Sequence, residues 1–197
     1  MNALQWKHFF DGQEEQHGKR LFTLAELANI SGQSSKVLNV TLGRLRRAGV
    51  LARVTRGLYA APGSVQPEEA LPWVDDHAYL TGAWALFQRG VITQAPRVAD
   101  CLTDRRPFRK TRVTGAGTLV FHKVAPPIYG PPATGAMATV EQALCDLVWL
   151  AMRRGVDMRA LYTFRRLHTL RRGELRKQCR RYPPPVAAAV RALCAQR

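Results

Sequence analysis

The most constraining feature of this sequence is the order of elements predicted by residues 20–63. Thr23 and Glu26 have the spacing of a capping box, in which a hydroxyl and a carboxylate three residues apart close the start of a helix. Residues 31–34 form a polar turn, and a further helix is predicted over residues 35–48, with Gly49 in the position that favours a left-handed residue. Two helices joined by about four turn residues fit helix-turn-helix geometry.

The segment that follows makes this pattern more specific. Residues 51–54 and 58–60 alternate in polarity on either side of a short turn containing Gly57, as the strands of a β-hairpin do. Before the two helices, Leu4, Phe9 and Phe10 predict an amphipathic helix that continues to about residue 17. Residues 1–63 are therefore predicted to form a winged helix-turn-helix domain.

A helical wheel separates the helix predicted at residues 35–48 into an apolar and a polar side. The apolar side is expected to carry Val37, Leu38, Thr41, Leu42, Leu45 and Ala48. The opposite side combines cations, an amide and a glycine, and Asn and Arg are the side chains that read adenine and guanine bidentately. We expect the DNA-binding residues to be Ser35, Lys36, Asn39, Val40, Gly43, Arg44, Arg46 and Arg47, with Arg53, Thr55 and Arg56 on the wing.

Beyond this domain the pattern changes. Residues 64–72 are rich in proline and are interpreted as a linker, and residues 73–197 as a small mixed α+β domain with a helical basic tail. A helix is expected at 81–89, with Trp84 and Phe87 on its apolar side, and extended segments at 96–103, 118–124 and 135–138. Thr139 and Gln142 suggest another capping box, opening an apolar helix that ends before Gly155. The whole chain is predicted to be α+β.

The charge of the chain is concentrated at its ends. The chain has 30 Lys and Arg against 14 Asp and Glu, and residues 151–197 contain 13 of these cations against 2 anions. Such a field favours a polyanion, and a solvated helix surface is the alternative. Helical stripes are expected in the tail at Met158, Leu161, Phe164 and Leu167, then at Val186, Val190 and Leu193. A possible second polyanion surface comprises Arg165, Arg166, Arg171, Arg172, Arg176, Lys177, Arg180 and Arg181.

The sequence gives little indication of catalysis. Its five His residues have no ligand-like spacing, and it contains no Walker A or GxGxxG loop. Asp75 and Asp76 with Asp100 or Asp104 are the best nuclease candidates, but no Glu-x-Lys follows them, so we expect no catalytic residues, metal or cofactor. The four cysteines form no CxxC pair and are expected to be reduced and mostly buried. A polar N-terminus and the lack of a long apolar run predict a cytoplasmic protein that does not interact with a membrane.

Three stretches of the sequence resemble the AbiEi family, the antitoxins of bacterial type IV abortive-infection toxin–antitoxin systems. They are FTLAELANISGQSSKVLNVTLGRLRRAGVLARVTRGLYAAP; AYLTGAWALFQRGVITQAPRV followed by GTLVFHKVAPPIYG; and MATVEQALCDLVWL. Together they cover roughly residues 20–155, and the first includes the hairpin motif Arg56-Gly57-Leu58-Tyr59.

The resemblance implies a winged-helix autorepressor that binds inverted repeats in double-stranded DNA. It also implies that the C-terminal domain counteracts a nucleotidyltransferase-like toxin, with or without direct binding. Carried over by position, its DNA face is Lys36, Asn39, Arg44, Arg46 and Arg47, with Arg53 and Arg56 on the wing. The alternatives are a solitary winged-helix transcription regulator without a toxin, or a basic adaptor that binds RNA or an acidic protein, with a nuclease last.

Overall fold

The computed structural model describes residues 1–107 and 110–195, which form two compact units. The first unit contains residues 1–74 together with residues 113–117, and the second contains the rest of the described chain. Helices and two β-sheets are both present, which confirms the predicted mixed α and β class.

The first unit has three helices, a small sheet and a fourth helix. In chain order they are α1 (Ala3–His17), β1 (Phe22–Thr23), α2 (Leu24–Ser31), α3 (Ser35–Arg47), β2 (Ala52–Thr55), β3 (Leu58–Ala60) and α4 (Pro67–Val74). Strand β3 is central and pairs antiparallel with β1 and β2. This order is consistent with the predicted winged helix.

Helix α1 ends where predicted but buries a different face. Gly18 caps it in the left-handed conformation, at φ 60°. Trp6 and Phe10 are its buried residues, and their rings stack with centroids 5.6 Å apart. Phe9 is only half-buried, and Leu4 is 63% exposed, so the predicted position of Leu4 in the core is wrong. Trp6 and Phe10 are one helical turn apart and bring two aromatic rings into the core, whereas Leu4 lies near the helix start.

The segment interpreted as a linker is partly helical. Helix α4 occupies residues 67–74, and Ala70 and Leu71 are fully buried. Pro67 lies at the first helical position, where its missing N–H costs nothing, and two glutamates follow in the first turn, where they favour the helix dipole. The linker prediction is wrong for these residues, because a proline at the first helical position is compatible with a helix.

The second unit combines a four-stranded sheet with helices. The elements that lie wholly or partly in it are β4 (Tyr79–Thr81), α5 (Gly82–Gln88), β5 (Ala99–Thr103), β6 (Thr111–Thr114), β7 (Gly117–Lys123), α6 (Val140–Arg154), α7 (Met158–Leu161), α8 (Arg172–Cys179) and α9 (Pro184–Ala195), and a 3-10 turn covers Leu167–Thr169. The strand order is β4-β5-β7-β6; β5 pairs antiparallel with β4 and parallel with β7.

Helix α6 is the centre of this unit. It is buried continuously from Glu141 to Ala151, and α5, α8 and α9 pack against it. A helix buried on all sides needs mostly apolar residues on all sides, and this one has them apart from Glu141, Gln142 and Asp146. Gly155 caps its end in the left-handed conformation, as predicted. The predicted capping box is only half formed, because the Gln142 side chain donates to the Gly130 carbonyl, 2.6 Å away, instead of returning to Thr139.

Several local predictions for this unit need correction. The strand expected at 96–103 begins at Ala99, and the one expected at 135–138 is reduced to a single bridge between Met137 and Leu80. In α5 the most buried residues are small ones and Leu86, while Trp84 and Phe87 are only half-buried.

In the tail, the prediction for α9 is confirmed, but the first predicted stripe is wrong. Val186, Val190 and Leu193 are buried in α9 as expected. Helix α7 is only four residues long, and Tyr162 already has extended backbone. Phe164 then forms a β-bridge with Ile92. Tertiary pairing has replaced the local helical periodicity at this point.

Candidate nucleic-acid interface

The helix pair α2–α3 is built by local signals. Thr23 accepts a hydrogen bond from the Glu26 backbone N–H at 3.2 Å, and the Glu26 carboxylate accepts one from the Thr23 N–H at 2.7 Å, which completes the predicted capping box. Lys19 also donates to this carboxylate, and with the Thr23 N–H it lowers the pKa of Glu26. Gly32, at φ 65°, ends α2, and three residues lead into α3. This is a helix-turn-helix.

The inward face of α3 is narrower than the wheel predicted. Leu38, Leu42 and Leu45 are buried at i, i+4 and i+7. They pack with residues of α1 and α2 in the core of the unit. Val37, by contrast, is 53% exposed, and Ala48 is also exposed, so their assignment to the buried side is wrong. A stripe of one residue per turn is enough to anchor a helix of this length.

The outward face of α3 holds the predicted contact residues. Val40 is an exposed apolar residue, of the kind that can contact a thymine methyl group. Gly43 is half-buried, and apart from the backbone of its own helix turns a Cβ added there would have no neighbour within 4 Å. Ser34, at the N-cap, makes no side-chain capping bond, so the first-turn N–H groups of α3 keep their capacity for an external acceptor. The exposed polar residues of this face are Ser35, Lys36, Asn39, Arg44, Arg46 and Arg47.

The β2–β3 hairpin presents the predicted wing residues. Arg53 is exposed, and its Nε donates to the Thr55 carbonyl of the same strand at 3.1 Å. Arg56 is exposed in the turn beside Gly57, whose φ of 75° is the left-handed conformation that the turn requires. Thr55 is half-buried.

Six cations of this first unit carry charge that no carboxylate in the described chain neutralises. None of the ion pairs found in residues 1–107 and 110–195 includes any of these six side chains. The only side-chain hydrogen bonds of the group go to backbone carbonyls, as from Arg47 Nε to the Gly43 oxygen at 3.3 Å. These cations, Lys36, Arg44, Arg46, Arg47, Arg53 and Arg56, are available to phosphates or base edges.

The cationic side chains of the tail have different surroundings in the structure, although they look alike in the sequence. Arg171 is held by Glu141, whose carboxylate accepts from the Arg171 backbone N–H at 3.1 Å and from its Nε at 3.3 Å. Arg181 is half-buried and donates to the carbonyls of Pro127 and Ile128. Lys177 lies 3.9 Å from a Glu174 oxygen. These three predicted surface residues have structural partners.

The remaining tail cations are exposed. Arg172, Arg176 and Arg180 follow one another at four-residue spacing along one face of α8 and its C-cap. Arg165 and Arg166 precede this helix, and none of the five takes part in an ion pair within the described residues. Arg172, Arg176 and Arg180 therefore form one cationic stripe, and Arg165 and Arg166 are not part of it.

Three of the candidate nuclease carboxylates contact cationic or histidine side chains, and the candidates do not form a shared metal site within the described residues. Asp76 pairs with Arg105 at 3.2 Å, and Asp104 lies 3.1 Å from His77 Nδ1. Asp100 is buried in contact with His122 and Arg154. Burial opposes its ionisation, but hydrogen bonds from those two side chains outweigh it, so the pKa of Asp100 is lowered. Nowhere in the described residues do three or more His, Cys, Asp or Glu side chains form a group able to hold a metal ion.

The second unit contains a buried polar cluster that its sequence does not reveal. Asp146 is fully buried in α6, where its carboxylate accepts from Thr81 Oγ1 and from the Tyr182 hydroxyl, both at 2.6 Å. The four cysteines form no disulfide here; Cys101, Cys145 and Cys179 are buried and Cys194 is half-buried, which agrees with the expectation that they are mostly buried. A single carboxylate in an apolar helix was the only sequence signal for this cluster.

Comparison with known proteins supports the N-terminal interpretation. Residues 13–62 match a family model described as "Transcriptional regulator, AbiEi antitoxin". No curated protein matches the chain. Within the described residues, no helix is long and apolar enough to span a membrane. The matched segment contains α2, α3 and the β2–β3 hairpin, so this part of the first unit is similar to the AbiEi antitoxin transcriptional regulators.

Proposed function

We propose that this protein represses its own promoter by binding inverted repeats in double-stranded DNA through α3 and the β2–β3 hairpin. The observation that carries the proposal is a set of six cations, four on the exposed side of α3 beside Asn39 and Gly43 and two on the β2–β3 hairpin, that form no ion pair within the described residues. The apolar side of α3 is fixed in the core by three leucines, so the exposed side is presented rigidly.

The contacts divide into two classes by chemistry. Asn39, Arg46 and Val40 have the side chains that read base edges, whereas Lys36 and the hairpin arginines suit phosphates. If all six cations contact phosphates, log K against log salt falls with a slope of about −5, since each contact contributes about −0.9. Each cation that contacts a base instead of a phosphate makes this slope less steep but does not reduce the specificity.

The double substitution Arg46→Ala/Arg47→Ala tests the assigned face. Binding of the upstream promoter fragment, measured by fluorescence anisotropy, should weaken by about 1–3 kcal/mol for each arginine that touches a base or a phosphate. Lys7→Ala/Arg97→Ala removes the same charge from two exposed residues outside this face and is the matched control. Undiminished operator binding by the Arg46/Arg47 variant, or equal losses in both variants, would contradict the assignment.

Gly43→Ala tests the closeness of the approach. The added methyl group has no neighbour within 4 Å apart from its own helix backbone, and replacing a helical glycine should stabilise the unit by up to about 1 kcal/mol. If DNA backbone approaches Gly43, the variant should be more stable yet bind the operator less well. Unchanged operator affinity would show that the DNA does not come close at this position.

We further propose that the protein counteracts a nucleotidyltransferase-like toxin and that its second unit supplies this activity. This proposal is supported by the AbiEi match in the first unit and by the resemblance of residues 78–98, 117–130 and 137–150 to the rest of that family. Expressed from an unrelated promoter, Arg46→Ala/Arg47→Ala should derepress the native operon but still protect cells from a toxin encoded downstream. Loss of protection by this variant would link the two activities. A solitary regulator would have no such toxin to counteract.

A further inference from the structure

A pocket of the second unit collects cations from three separate parts of the chain. It encloses about 430 Å³, within the range of small-ligand sites, which is about 300–1,000 Å³. Its cationic lining comprises Arg106 and Lys110 from the segment between β5 and β6, Lys123 from the end of β7, and Arg153 and Arg154 from the last turn of α6.

Two of these arginines are already held in place. Arg154 donates to the buried Asp100 carboxylate at 2.9 Å, and the Arg153 guanidinium lies over the Trp149 ring, 4.8 Å from its centroid. His122, which also lines the pocket, has its Nε2 2.7 Å from the same Asp100 oxygen. A ligand that binds here has less side-chain entropy to remove than one that must order free arginines.

The charge of the pocket is only partly balanced. Asp100 offsets one positive charge, and no Asp or Glu belongs to the described lining. Arg153 and Arg154 also suit the negative end of the α6 dipole, but that role does not account for Arg106, Lys110 and Lys123, which belong to other segments. No described carboxylate pairs with these three residues.

The floor of the pocket is apolar. Phe121 and Leu150 line it and are both buried, at 2% and 3% exposure. Cations at the rim with an aromatic ring and an aliphatic side chain below suit a ligand that has both an anionic group and a flat apolar part. Phosphate is a group that Arg and Lys side chains bind well, through charge and through several donors at once.

We propose that this pocket binds a phosphate-bearing small molecule of mononucleotide size. The site is distinct from the α3 surface and does not depend on operator binding. Lys110 and Lys123 supply exposed charge, Arg153 and Arg154 supply oriented donors, and Phe121 and Leu150 contact the apolar part of the ligand.

Isothermal titration of the full-length protein with inorganic phosphate, adenosine, AMP and a 5′-phosphorylated oligonucleotide tests this site. AMP should bind saturably at one site per chain and adenosine should not. In Lys110→Gln/Lys123→Gln, AMP should bind about tenfold more weakly or worse, since glutamine cannot replace the two charge-assisted hydrogen bonds to phosphate. Arg172→Gln/Arg176→Gln removes the same charge from exposed positions on α8 and should bind AMP as the wild type does.

The outcomes separate the sources of the phosphate group. An oligonucleotide that competes with AMP only when its 5′ end is phosphorylated would place a nucleic-acid end in the pocket. Equal binding of adenosine and AMP, absence of AMP binding, or equal weakening by both double variants would each overturn the proposal. Arg153→Gln provides a second variant, and thermal unfolding of each protein shows that it remains folded.

Discussion

Replacing Asp146 with Asn is the most informative test of the second unit. The Asp146 carboxylate lies inside α6 with no solvent exposure and accepts hydrogen bonds from Thr81 and Tyr182. Burial raises its pKa to about 6, although the two hydroxyl donors and the charge of Arg181 act in the opposite direction. An Asn side chain has nearly the same shape, and its amide can bond both hydroxyls without a charge.

The magnitude of the expected effect follows from this pKa. A carboxyl group that binds its proton more tightly in the folded chain stabilises the fold when it is protonated. The stabilisation is fully present below the unfolded pKa of about 3.9 and is lost as pH rises through about 6. Lowering the pH from about 7.5 to about 5 should therefore add about 1.4 kcal/mol to the free energy of unfolding through Asp146 alone.

Urea unfolding of the wild type and Asp146→Asn at both pH values measures this effect. Hydrogen–deuterium exchange of a peptide covering residues 140–154 follows α6 and therefore reports the second unit separately. Other groups titrate in both proteins, so the relevant quantity is the difference in free energy of unfolding between the wild type and Asp146→Asn. This difference should change by about 1.4 kcal/mol between the two pH values. Asp157→Asn is the control, because Asp157 is exposed and Asn caps a helix equally well. A difference that does not change with pH would refute the reasoning.

Three further predictions follow from the packing and charges. Leu147→Ala should destabilise the second unit by about 2–5 kcal/mol, measured by the same exchange experiment, because this side chain is buried in the core; a loss typical of an exposed residue would contradict its burial. Thr23→Ala should lower the stability of the first unit by about 1 kcal/mol in urea unfolding, and Thr23→Ser should restore it, because the hydroxyl caps α2. Arg172→Gln/Arg176→Gln/Arg180→Gln should reduce the salt slope of operator binding by up to about three phosphate contributions of −0.9 each while preserving specificity; an unchanged slope with failed toxin neutralisation would instead assign this stripe to a protein partner.

Much of the first unit could be predicted because its signals are local. The capping box at Thr23 and Glu26, the left-handed Gly18 and the turn at Gly57 each depend on residues only a few positions apart. The exposed side of α3 follows from helical periodicity alone, and its residues lie where the wheel placed them. Whether those residues contact DNA remains a prediction.

Long-range contacts decided the remaining features. Leu4 is exposed because Trp6 and Phe10 fill the core in its place, and residues 67–74 are helical because Ala70 and Leu71 find a buried surface. Phe164 pairs with Ile92 across a distance that no local period encodes.

The sequence by itself determined the α+β class, the helix-turn-helix with its hairpin, and the total positive charge. Only the tertiary structure decided what each cation does. In the tail, Arg171 and Arg181 look like Arg172 in sequence, yet Arg171 pairs with Glu141 and Arg181 donates to two loop carbonyls, while Arg172 forms no ion pair within the described residues. The cationic pocket of the second unit likewise assembles side chains that are up to 48 positions apart, from Arg106 to Arg154. Periodicity and capping act over one or two helical turns, whereas the partners of a charge are chosen by the fold, which brings distant segments together.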